Sequence, residues 1–187
     1  MAVALDIRRL ASVAGPSEVS TAAEIAETVR NEALTLAYKG FADGPADGNL
    51  QKLLACPAFA NHVKYRLAIA IANVLGTYDR RVLSVYYVYN TAPDPDAEVD
   101  PEAPGDPLLH FLVLVTSPTA ALQAFVKALD RALVQSLHQL PSPALASLST
   151  ILDVSVVTED ESGRGTGWAA LLQSAFAPPV QLWKREP

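Results

Sequence analysis

Leu108-Leu109-His110-Phe111-Leu112-Val113-Leu114-Val115 is a run of eight residues with a single polar member, His110. Its length and its apolar content on both faces read as a strand buried on two sides. Ser117-Pro118 follows, a hydroxyl cap with proline at the first helical position. Leu122, Phe125, Val126, Leu129, Leu133, Leu137 and Leu140 then recur at helical spacing until Pro141 and Pro143. Beyond them Ile151-Leu152-Asp153-Val154-Ser155-Val156-Val157 is again β-branched and apolar. Strand, long helix, strand is the grammar of a parallel crossover.

Upstream, Val82-Leu83-Ser84-Val85-Tyr86-Tyr87-Val88-Tyr89 carries apolar or aromatic residues on both faces, as a central strand does. Residues 91–107 contain Pro93, Pro95, Pro101, Pro104 and Pro107 among six acids, which reads as an acidic loop. Such a loop can join the two strands as an antiparallel pair. Its prolines break the spacing that a calcium-binding loop requires. Further upstream, Pro16-Ser17 opens a helix with the stripe Ile25, Val29, Ala33, Leu36 and Ala37, ending near Gly40. Asn49 starts a short helix with Leu50, Leu53 and Leu54. A longer helix over 58–75 carries Phe59, Val63, Leu67, Ile71 and Val74, with Gly76 as its stop. Downstream, a Gly-rich turn leads to a short helix over 168–176. Val180-Gln181-Leu182-Trp183 reads as a last strand.

The expectation is an α+β (α/β) fold: a small mixed sheet of three to four strands flanked by helices. A helical N-terminal part, 1–60, packs on a core over 61–187, and the two form one compact unit. The chain has 187 residues, half of them hydrophobic, enough for one sizeable core.

The formal net charge is −6, and the basic residues form only isolated doublets, so nucleic acid is not expected as a partner. Cys56 is the sole cysteine, which excludes an internal disulfide and suits a reducing compartment. No apolar stretch approaches the ~20 residues of a membrane span. Asp6 precedes Arg8-Arg9 and no apolar run follows, unlike a signal peptide. A cytoplasmic location without membrane contact is expected. Apolar residues on more than one side of several helices point to self-association as a twofold dimer, or to a protein partner.

From about residue 62 onward, some two-thirds of the chain, this order resembles the small nucleotidyltransferase fold. Arg80 to Tyr89 resembles that family's first strand, and Leu152 to Glu159 its third, with Asp153 at or near the third acid. Ala169-Ala170-Leu171-Leu172-Gln173 to Trp183 resembles the short helix and terminal strand of its minimal members. The resemblance implies a Gly-Ser after the first strand and an Asp-x-Asp pair on the second, holding two magnesium ions against a triphosphate. Asn90-Thr91 stands in place of the former, and His110 is the only polar residue on the second strand. Asp106 precedes that strand and can supply one carboxylate, not two on one face.

The resemblance therefore implies a degenerate, non-catalytic member, acting through ligand or protein binding. The alternatives are a magnesium-dependent transferase with an atypical acidic site, using Mg with a nucleotide, and a structural partner. Asp153, Asp106 and His110 are the catalytic candidates, Asp106 and His110 as a polar pair at the mouth of the sheet. By strand alternation Asp153 lies opposite Leu152, which fits exposure. Gly163, Arg164 and Gly165 are the cofactor-binding candidates, because glycines between a strand and a helix can cradle phosphate. Their spacing matches neither standard nucleotide fingerprint, and Thr158-Glu159-Asp160-Glu161 just before them would repel an anion. No resident cofactor or metal is expected: His62 and His138 have no partner at helical spacing.

Overall fold

The computed structural model describes residues 18–41, 49–88, 109–175 and 178–186. The proline-rich loop, Asp106, Asn90 and the first 17 residues lie outside them. Three helices come first: α1 (Glu18–Gly40), α2 (Leu50–Leu54) and α3 (Pro57–Tyr78). Strands β1 (Val82–Val88) and β2 (Leu109–Val115) follow. Helices α4 (Ala120–Leu137) and α5 (Pro143–Ala146) lead to β3 (Leu152–Thr158). Helix α6 (Glu159–Arg164), a 3-10 helix (Gly167–Gln173) and β4 (Val180–Lys184) complete the described chain.

The fold is α+β, a four-stranded mixed sheet flanked by helices, with strand order β3-β2-β1-β4. β1 runs antiparallel to β2 and to β4, and β2 runs parallel to β3. β1 and β2 are the two central strands, as their apolar faces require. The α4 crossover delivers β3 beside β2 in parallel register.

One face of the sheet is closed by helices. Val85 and Tyr87 of β1 and Phe111, Val113 and Val115 of β2 are buried there. A bulge between Val82 and Ser84 keeps Val82 on this side as well. Helix α3 packs on β1 and β4, and α1 packs across both α3 and α4. The buried stripe of α1 is Ala22, Ala26, Val29, Ala33 and Ala37. Four alanines in that stripe let the helix axes approach closely. The stripe is rotated from the expected one, since Ile25 is half-buried and Leu36 is exposed. Arg30 fastens the layers by donating to the Ser136 carbonyl at 2.9 Å, near the C-terminal end of α4. A cation is favourable at that end of a helix.

Several helix ends differ from expectation. Thr119 caps α4, its hydroxyl accepting from Leu122 N at 3.1 Å, so Ser117-Pro118 stands one step outside. The same hydroxyl donates to Asp79 at 3.2 Å, which binds the cap to the turn between α3 and β1. Pro57 opens α3 at its first position, one residue before the expected start. The 168–176 helix is instead the 3-10 segment.

Gly76 is a packing residue, not the expected helix stop: α3 runs on to Tyr78. A Cβ at residue 76 would run into the Trp183 ring. The glycine therefore makes room for β4 to lie against α3. Arg185 continues the contact, donating to the carbonyls of Val82 (2.9 Å), Asp79 (3.2 Å) and Gly76 (3.4 Å).

Two tests follow from these contacts. Gly76→Ala improves helix propensity by about 1 kcal/mol, yet it should destabilise the protein by about 1–3 kcal/mol through overpacking. Gly163→Ala in α6, where a Cβ meets open space, should be neutral or stabilising. Urea denaturation of the pair reads the opposite signs. Asp130 of α4 accepts from Ile151 N and Leu152 N, both at 2.8 Å, and from the Thr150 hydroxyl at 3.1 Å. Asp130→Ala should cost about 3 kcal/mol by the same assay, because it strands two half-buried amides. Asp130→Asn, whose carbonyl can still accept, should cost less.

Candidate functional site

The second face of the sheet is only partly covered. Leu112 and Val157 are buried there beneath Ala169, with Tyr86, Leu114, Leu171 and Leu172 around them. At the edge of this cluster the strands turn polar. His110 and Asp153 are direct partners in the parallel β2–β3 register. Their side chains meet, with His110 Nδ1 2.9 Å from Asp153 Oδ2. An ionised carboxylate can only accept, so Nδ1 carries the hydrogen, and Nε2 is an acceptor in a neutral ring and a donor in a protonated one. That Nε2 is buried and has no hydrogen-bond partner among the described residues.

The pair lines a hollow of about 150 Å³ with Val88, Ser155 and Trp168. Trp168 is 59% exposed, the most exposed of the large apolar side chains among the described residues. A series of local devices positions it. Thr158 and Glu161 form a reciprocal capping box as β3 passes into α6. Gly165 then ends α6 in the left-handed conformation, with φ of 62°. Gln173 donates to the Ser162 carbonyl at 3.0 Å and folds the 3-10 helix back onto α6.

Asp153 is thus half-exposed, and it is bonded to His110 rather than free in solvent. The expected partner of His110, Asp106, lies outside the described residues. A sequence signal for the observed pair existed: each strand has one polar residue directly after its opening leucine, Leu109-His110 and Leu152-Asp153. In-register parallel pairing brings such residues together.

Gly163, Arg164 and Gly165 form the C-terminal end of α6. The amide of Gly165 is spent on the Ser162 carbonyl and that of Thr166 on the Glu161 carbonyl. Arg164 lies on the surface, 3.8 Å from Asp160. These groups are aimed at their own helix and not at a phosphate. Among the described residues no group of three or more His, Cys, Asp or Glu side chains could hold a metal ion. No helix among them is long and apolar enough to cross a membrane.

Neither a family model, nor a curated protein, nor a solved structure matches the chain.

Glu161 gives this region a pH signature. Hydrogen bonds from the Thr158 amide and hydroxyl hold its carboxyl below the ordinary 4.5. The stability it contributes is complete above that ordinary value and is lost as pH falls through the lowered one. Glu161→Ala should lower the urea midpoint at pH 7, and its difference from the parent protein should shrink toward pH 2.

Proposed function

We propose that the chain is a non-catalytic binding protein of the cytoplasm, built on a nucleotidyltransferase-like core. The observation that carries this reading is the His110–Asp153 pair. At the place where the resemblance asks for acids on the second strand, the imidazole of His110 occupies the carboxylate of Asp153 at 2.9 Å. A carboxylate bound to an imidazole N–H is a poor start for a magnesium site, which needs several free oxygen ligands. The same groups make a serviceable binding site. The indole of Trp168 offers a face for stacking, beside the polar edge that His110, Asp153 and Ser155 give the hollow. The hollow of about 150 Å³ admits one small planar group with polar substituents.

Thermal unfolding with ATP, GTP and CTP, each with and without magnesium, separates the readings. A ligand at a hundred times its Kd adds about 2.7 kcal/mol, a shift of about 5–11 °C for a chain of this size. No magnesium-dependent shift is expected. A shift with one nucleotide that Asp153→Asn abolishes would establish the magnesium-dependent alternative instead. On the binding side, benzamide and nicotinamide should quench tryptophan fluorescence in the parent protein, and not in Trp168→Phe or His110→Phe. Equal quenching in all three would rule out the sheet-face site.

A further inference from the structure

A separate hollow of about 330 Å³ lies among the helices on the other side of the sheet. Its walls come from α2, α3, the end of α4 and the connection toward β3. Eight of its eleven lining residues are apolar, among them Leu54, Val63, Leu67, Leu137 and Leu148. Lys64 is the one ionisable residue in the lining, and no acid faces it there. Its ammonium has no hydrogen bond or ion pair with another described residue. The wall is held in shape from behind: His138 Nε2 lies 3.0 Å from the Leu148 carbonyl.

We propose that this hollow binds a medium-chain aliphatic carboxylic acid, its tail along the leucines and its carboxylate on Lys64, with Asn61 beside it. The volume is at the small end of the ~300–1,000 Å³ range of small-molecule sites. A chain with one negative head matches a leucine-lined space with one positive group. Burial also holds the Lys64 amine below its ordinary 10.5, so its charge is under-solvated. A carboxylate would replace the lost solvation with a charge-assisted hydrogen bond. The site is independent of the sheet-face reading, since it shares no residue with the His110 hollow.

Calorimetric titration of the whole chain with octanoate, decanoate, 1-octanol and octylammonium tests the proposal. The carboxylates should bind at least about tenfold more tightly than the alcohol, the worth of one charged hydrogen bond. Octylammonium should bind most weakly. Lys64→Met keeps the apolar stem and should reduce octanoate to the level of the alcohol while leaving the alcohol unchanged. Ala144→Trp, at an exposed residue of the lining, should block both. Amide NMR shifts on adding octanoate should centre on Leu54, Leu67 and Leu148. The proposal is overturned if Lys64→Met binds octanoate as the parent does, or if octylammonium matches octanoate. It is equally overturned if the shifts map elsewhere, or if no carboxylate binds at millimolar concentration.

Discussion

The close approach of the Trp183 ring to Gly76 fixes how β4 lies against α3. A strand can lie this close to a helix only where the helix has no side chain. Around that contact, Arg185 supplies donors to carbonyls at the C-terminal end of α3 and the start of β1. Those carbonyls lack helical partners, and a guanidinium satisfies several at once. Asp79 stands in the same cluster. Its carboxylate accepts from Arg81 N at 2.9 Å and from the cap hydroxyl of α4. The end of α3 and the starts of β1 and α4 are thereby fixed to one another by hydrogen bonds, with β4 laid across them.

A second fixed point lies across the sheet. Asp130 holds the first amides of β3 from the middle of α4. Register in a sheet is intolerant of single steps, because each step turns every side chain to the opposite face. By setting where β3 begins, Asp130 places Asp153 beside His110 and Ser155 beside Leu112. The polar patch on the open face thus depends on a carboxylate in the helical layer. Packing sets the fold and hydrogen bonds to irregular backbone set the register.

Much of this architecture was legible in order and kind. The central place of β1 and β2 follows from apolar residues on both of their faces, and the helices follow from their periodicity. The parallel crossover follows from the length of α4. What was hidden depends on contacts distant in sequence. Gly76 reads as a helix stop because the tryptophan it accommodates is more than a hundred residues away. Asp130 reads as one more polar residue on a helix. Asp153 reads as exposed because alternation assigns a face and says nothing of the neighbour on it. The glycines at 163 and 165 resemble a phosphate cradle, but Gly163 lies within α6 and Gly165 caps it, its amide spent on the Ser162 carbonyl. The prolines of residues 91–107 read as loop, and that segment lies outside the described residues.

The pairing of β1 with β4 has a consequence for synthesis. Ser84 meets Lys184 across one hundred residues of chain. Closing so long a span is entropically slow, and it comes after the local helices have formed. Until residue 184 has left the ribosome, one edge of β1 has no partner and the floor beneath Gly76 is missing. The nascent chain therefore presents a bare, apolar strand edge to its surroundings while the hundred residues between β1 and β4 are made. Its exposure to mispairing and to chaperones is governed by the last few residues of the fold, and not by the size of its core.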